Sequence, residues 1–244
     1  MVAVGSSGVR RSSEGVVPAS YVIPPRIAHA EAHDPERVIR LLEPLVYERR
    51  RERLLSVLDA RLDSVQVVFD APHDPHNGAA VVRSCEAFGV HQVNVVERIE
   101  PFLLASSVSR GSEKWVDLRC YARGADAVRA LEARGYELVA AHAEGTLAPH
   151  DLATIPRLAL VLGNERDGIS AELARACSRT VRVPMRGFVE SLNVSVTAAV
   201  LLAAATAGRP GDLPEADRRR LYARGLYLSL QRADDILRLA DGSV

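Results

Sequence analysis

The run VQVVFD at residues 65–70 opens a series of short Val- and Leu-rich segments: QVNVVE at 92–97, WVDLRCY at 115–121, ELVAAHA at 137–143, RLALVLG at 157–163 and TVRVPM at 180–185. Between them lie stretches of helical character: about 78–88, ADAVRALEARG at 125–135, SAELARACS at 170–178 and a small-residue run from about 192 to 207. Strands that are apolar nearly throughout need cover on both faces, and intervening helices supply it, which is the pattern of a parallel sheet. The spacing therefore predicts a doubly wound α/β domain over residues 64–207.

Outward from that core the chain changes character. Residues 34–63 are expected to form a helical arm that opens at Asp34 with Pro35 in its first turn. Val38, Leu41, Leu42, Leu45, Leu54, Leu55 and Leu58 carry its apolar spacing, with a break near Pro44 and a basic outer face. Residues 1–33 are rich in Ser, Gly and Pro without periodicity and are expected to be a flexible tail. After Gly208, Pro210, Gly211 and Pro214, a linker composition, residues 208–244 are expected to end in a helical extension. No internal repeat is present.

The 244 residues are 48% hydrophobic and 25% charged, values of a soluble globular protein. The longest apolar stretch, Val194 to Ala207, carries Ser and Thr and is shorter than a membrane span. The start, MVAVGSSGVRRSSEGVVPAS, lacks the charged-then-apolar order of a signal peptide, so a cytoplasmic protein is expected. Cys85, Cys120 and Cys177 form no metal or disulfide pattern and are expected to be buried filler. Net charge is zero, which by itself gives no support to nucleic-acid binding. Arginines nevertheless cluster at Arg49, Arg50, Arg51 and Arg53 and again at Arg218, Arg219 and Arg220. Such runs neutralise phosphates or simply solvate a helix face.

Ligands of an open parallel sheet bind at loops beyond the carboxyl ends of strands. Three loops qualify: APHDPHN at 71–77, GNERDG at 163–168 and RGFVESLN at 186–193. Asn77 alone reads as the N-cap of the following helix. Arg83, among Val81, Val82 and Cys85, needs either a water-facing side or an anionic partner, and a structural salt bridge is the simpler form of the latter. His73 and His76 have no third ligand nearby, so no metal is expected. Glu165 by itself also admits a lesser reading as the opening turn of the next helix. Ser191 and Asn193 read equally as helix caps, and without a G-x-S-x-G a hydrolase is not supported. Neither G-x-G-x-x-G nor a phosphate loop occurs.

Taken together, in this order, the loops carry a resemblance. NGAAVVRS at 77–84, LVLGNERDGIS at 160–170 and VPMRGFVESLNVSVTAAV at 183–200 resemble the three motifs of SpoU-type ribose methyltransferases of the SPOUT superfamily. HDPHN at 73–77, CEAFGV at 85–90 and GSEKWV at 111–116 are similar to the TrmH branch, which methylates guanosine 18 in the tRNA D-loop, and LPEADRRRLYARGLY at 213–227 is similar to a TrmH helical extension. The resemblance implies that the C-terminal part of the domain threads into a trefoil knot, which general topology rules would discourage. It implies S-adenosyl-L-methionine as cofactor, lined by Leu162, Gly163, Val183, Met185, Ser191 and Leu192. It places Arg83 in catalysis, either as a base aided by a substrate phosphate or as a stabiliser of the developing alkoxide, because guanidinium is normally never deprotonated. Asn77 and Glu165 would fix Arg83 and the pocket, and Asn193 would buttress it. His76, Arg110, Lys114, Arg50 and Arg53 become candidate tRNA contacts, and a homodimer is implied, with the active site near the subunit boundary.

The expected reaction is tRNA (guanosine(18)-2′-O)-methylation. The alternatives are the same chemistry on ribosomal RNA or another tRNA position, and a catalytically silent RNA-binding scaffold. The polar residues retained in all three motifs speak against the scaffold.

Overall fold

Each apolar run becomes a strand because its side chains find cover on both sheet faces. In the computed structural model, which describes residues 24–97, 102 and 104–240, these are β1 (Val65–Asp70), β2 (Gln92–Val96), β3 (Asp117–Tyr121), β4 (Glu137–Ala141), β5 (Leu158–Leu162) and β6 (Arg179–Val181). All pairings are parallel and the strand order is β3-β2-β1-β5-β4-β6. Every residue of β1, β2 and β5 is buried, as their near-continuous Val and Leu content requires. The last strand is shorter than the TVRVPM run suggests. It lies at the sheet edge against β4, which stops at Ala141, and Pro184 brings no N–H to a ladder.

The helices in chain order are α1 (Pro25–Ala32), α2 (Pro35–Leu42), α3 (Glu48–Asp59), α4 (Pro75–Ala87), α5 (Ser106–Ser109), α6 (Gly124–Glu132), α7 (Ala171–Ala176), α8 (Val194–Thr206), α9 (Glu215–Ser229) and α10 (Ala233–Leu239). One face of the sheet packs Val67, Phe69, Leu160 and Leu162 with Val81 and Cys85 of α4 and with Leu201 and Leu202 of α8. The opposite face packs Val68, Val96 and Val161 with Ala127 and Leu131 of α6 and Leu173 of α7. Cys85 and Cys120 are buried and Cys177 is half-buried, and burial pushes the Cys85 thiol up to about 12.

The flanking segments differ from expectation in two ways. Residues 24–33 of the expected tail are ordered, with Ile27 and Ala30 of α1 buried, while residues 1–23 lie outside the described residues. The N-terminal arm and the C-terminal extension are also not independent. Val38, Leu42, Leu54 and Leu58 bury against Leu221, Leu226, Tyr227 and Leu237, giving a second, all-helical core. Neither apolar stripe can be left in water, and each is the partner the other lacks.

Ion pairs stitch this helical unit to the sheet. Arg224, 3% exposed in its side chain, reaches Asp117 at 2.7 Å and also pairs with Glu31. Arg220 pairs with Glu31 at 2.9 Å and with Asp117. Arg218 pairs with Asp59 at 2.6 Å, and Arg219 with Glu36. The 218–220 run, read from sequence as possible phosphate contacts, is thus engaged within the chain. Burial alone would raise the Asp117 carboxyl, but the Arg224 and Arg220 charges overcome it and hold the group far below the usual carboxylate range.

Candidate functional site

The strand order puts the carboxyl ends of β1, β5, β4 and β6 side by side, so the loops leaving them meet above one edge of the sheet. The loop after β1 is turned into α4 by Asp74, whose carboxylate accepts the His76 N–H at 2.8 Å and is thereby held below its usual range. Asp74, not Asn77, is therefore the N-cap, and Asn77 is the third residue of α4. Its amide is free for other work. Asn77 Nδ2 donates to Glu165 Oε1, and Asn193 Nδ2 donates to Asn77 Oδ1 at 3.1 Å. Asn193 caps α8, as its sequence position suggested, by accepting the Ser195 N–H at 2.8 Å. One hydrogen-bonded chain, Glu165–Asn77–Asn193–Ser195, thus joins the three sequence motifs.

The loop after β5 is held equally tightly. Asn164 N–H donates to Gly168 O, and Gly168 N–H to Asn164 O, both at 3.2 Å, closing a small ring. Asn164 Oδ1 accepts the N–H groups of Arg166 and Asp167, both at 2.8 Å, and Gly168 takes the left-handed φ of 66° that the turn needs. Asp70, at the end of β1, accepts the Ser170 N–H at 2.6 Å and anchors the far side of the loop.

Between these loops lies a cleft of about 520 Å³. Each residue anticipated as cofactor-lining, namely Leu162, Gly163, Val183, Met185, Ser191 and Leu192, borders it, as do Glu165 and Asn193. Its wall also includes Ala141, His142 and Ala143 from the loop after β4, which sequence reasoning missed. That loop belongs to the site because β4 lies between β5 and β6, an order that no local pattern announces. His142 N–H donates to Val181 O at 2.9 Å, and a Cβ on Gly145 would sit 2.6 Å from Arg182 N, so the β4 and β6 loops press against each other.

Among the other anticipated residues the outcome is mixed. Arg83 is exposed, on α4 beyond Asn77, and makes no hydrogen bond or ion pair among the described residues. It faces water, and the structure does not bring it to Asn77 or Glu165. Arg50 and Arg53 are exposed on α3, and Arg50 donates to Ser229 Oγ at 3.1 Å. The Arg50 guanidinium also lies 5.8 Å from the Trp115 ring centre, next to exposed Lys114. Arg110, exposed, has a positive φ of 48°. His76 is exposed beside Asp74. Among the described residues no group of three or more His, Cys, Asp or Glu is arranged to hold a metal ion.

The cleft suits S-adenosylmethionine in size and in chemistry. Backbone groups and small side chains (Gly163, Ala141, Ala143, Ser191) leave room for a bulky ligand, and Asn164 Nδ2, buried in the wall, has no partner among the described residues and is a donor left for one.

Comparison with known proteins agrees with this geometry. The model of the SpoU rRNA Methylase family matches residues 64–203. The tRNA (guanosine(18)-2′-O)-methyltransferase of Thermus thermophilus is 36% identical over 184 residues, 74% of this chain and 87% of that protein. The enzyme of the same name from Escherichia coli K12 is 30% identical over 188 residues, 73% of this chain and 82% of its own. In structure, the A. aeolicus TrmH/SpoU tRNA modifying enzyme aligns with a TM-score of 0.66 at 27% identity, covering 75% of this chain and 98% of that one. The SpoU methyltransferase AviRb from Streptomyces viridochromogenes in complex with AdoMet aligns at 0.54 and 27% identity, over 62% of this chain and 63% of its own.

Proposed function

The chain belongs to the SpoU rRNA methylase family, and from that premise we propose that it is an S-adenosylmethionine-dependent tRNA (guanosine(18)-2′-O)-methyltransferase. The observation that carries the proposal is the convergence of three distant motifs on one cleft lip through the bonds among Glu165, Asn77 and Asn193. The similar enzymes of T. thermophilus and E. coli supply the substrate.

When bound, S-adenosylmethionine provides an electrophilic methyl group on a sulfonium centre. Leu162, Gly163, Val183, Met185, Ser191 and Leu192 hold the cofactor, largely through backbone. Asn193, fixed by its cap bond, and Asn77, clamped between Asn193 and Glu165, set the lip where the ribose enters. A ribose hydroxyl is a very weak acid, so its attack requires stabilisation of negative charge as the proton leaves. Arg83 remains a cation and serves as that stabiliser, orienting the ribose through its adjoining phosphate. Its exposure, and the lack of a partner for it among the described residues, support a role in which RNA supplies the partner.

His76, Arg110, Lys114, Arg50 and Arg53 form the tRNA contact set. The proximity of Arg50 to Trp115 beside Lys114 supports a continuous surface leading from the helical unit toward α4. Two copies of the chain assemble through α8, a reading supported by the exposed Val196 and Val200 together with Phe188 and Val189. The close approach of the loop after β4 to the chain leaving β6, at Gly145, supports the trefoil knot of the family. Residues 64–207 make up the catalytic unit, and no described helix is long and apolar enough to cross a membrane. The cytoplasm, where tRNA is modified, is the assigned location.

The test is transfer from methyl-labelled S-adenosylmethionine to unmodified tRNA transcripts, with Arg83→Ala and a transcript carrying adenosine at position 18 as comparisons. Both changes are expected to abolish labelling. Equal labelling of the adenosine transcript refutes the guanosine-18 assignment, and labelling of ribosomal fragments alone moves the substrate to ribosomal RNA.

A further inference from the structure

The charged side chains of the cleft share one sign. Of the residues lining it, Glu165 and Glu190 are acidic and none is lysine or arginine. The remaining ionisable group, His142, accepts the Glu144 N–H on Nδ1 at 3.2 Å. Glu165 is tied to Asn77 and so already has a structural partner. Glu190 is exposed on the loop between β6 and α8, next to Ser191, and among the described residues it has no ion-pair partner.

Building on the methyltransferase reading, we propose that Glu190 is a specificity residue that makes the cleft favour the cationic cofactor over its neutral spent form. Methyl transfer breaks the bond from sulfur to methyl and forms the bond from ribose oxygen to methyl. The sulfur keeps the electron pair and becomes a neutral thioether, and the hydroxyl proton is released. The ligand thus loses one positive charge with little change in shape. A pocket that reads only shape binds both forms alike, whereas a carboxylate beside the cleft adds an attraction to the sulfonium that the thioether lacks, the amino-acid charges being common to both forms. Coulomb attraction between unit charges several ångströms apart in a half-open cleft is worth roughly a three- to tenfold difference in binding. The same preference speeds clearance of spent cofactor after each turnover.

The test is calorimetric titration of the full chain with S-adenosylmethionine and, separately, S-adenosylhomocysteine, at low and at high salt. The wild type is compared with Glu190→Gln, which removes the charge at constant shape, and with Glu190→Asp, which keeps it. The ratio of the two affinities is expected to fall roughly three- to tenfold in Glu190→Gln, to stay near wild type in Glu190→Asp, and to shrink with salt in the wild type. A ratio unchanged in Glu190→Gln, with both ligands still bound, overturns this inference alone. A wild-type chain that binds neither ligand overturns the cofactor reading and the inference with it.

Discussion

Replacing Gly163 with alanine puts a methyl group where the loop after β5 leaves no room. A Cβ at this position would collide with the Gly168 carbonyl carbon and would lie 2.6 Å from Ile169 N and 2.7 Å from Gly168 O. Carbon contacts are ordinarily about 3.5–4.0 Å, so the 163–168 ring would have to retreat by about 1 Å. The obstacle is the backbone of Gly168 and Ile169, held in place by the paired Asn164 and Gly168 hydrogen bonds, and no side chain can swing away to relieve it. Overpacking of this kind costs about 1–3 kcal/mol, which for a domain of this size lowers Tm by several degrees. The functional loss should be larger than the loss of stability. Gly163 borders the cleft and the displaced ring carries Glu165, so cofactor affinity should fall at least about tenfold and the methyl-transfer rate by about a hundredfold, the scale of a 1 Å misplacement. Gly168→Ala is the control, because a Cβ there meets nothing within 4 Å and the only strain is the left-handed φ of 66°. That variant should lose about 1–2 kcal/mol of stability while keeping most of its cofactor affinity. Calorimetry and thermal unfolding on both proteins decide the matter. If Gly163→Ala binds S-adenosylmethionine within twofold of wild type, the ring is not the rigid wall described here.

Other substitutions test different parts of the molecule. Asp117→Asn removes one of two carboxylates shared by buried Arg224 and half-buried Arg220. It should destabilise the fold by about 2–4 kcal/mol at neutral pH, less than a fully broken buried pair because Glu31 remains. Since the Asp117 carboxyl is depressed in the folded state, this stabilisation is complete above the unfolded value of about 3.9 and is lost as pH falls toward the folded value. Urea titrations should therefore show the wild type and variant converging below about pH 4, and a gap that stays constant with pH would count against the charge network. Asn193→Ala should lower stability by about 1 kcal/mol through loss of the α8 cap, and Asn77→Ala, which removes no cap, should lower it by about 0.5–1.5 kcal/mol through loss of its bonds to Glu165 and Asn193. Both should reduce kcat/KM, and the double variant should lose less than the sum of the two by about 0.5–1.5 kcal/mol, the worth of their shared hydrogen bond. Strict additivity would mean that the bond plays no part in the reaction.

The sheet was legible from the chain alone because a strand buried on both faces must be apolar at every position, and VQVVFD and RLALVLG carry that requirement in their own composition. The residues Leu162, Gly163, Val183, Met185, Ser191 and Leu192, which border the cleft, were singled out through motif resemblance. Asn193 as the α8 cap was legible too, since capping is a local bond between residues two apart. Asn77 was misread as a cap because Asp74, three residues earlier, competes for the same task and has the carboxylate and the preceding geometry to win it. Strand order, by contrast, is set by which faces fit together across the whole chain. That is why the β4 loop with His142 entered the site without any local signal. The pairing of the arm with the C-terminal extension, and the engagement of Arg218, Arg219 and Arg220 by Asp59, Glu36, Glu31 and Asp117, depend on contacts between residues more than a hundred positions apart. Local propensity is written into each segment of sequence, but the partner that buries an apolar stripe or neutralises a charge is chosen only when the chain has folded around it.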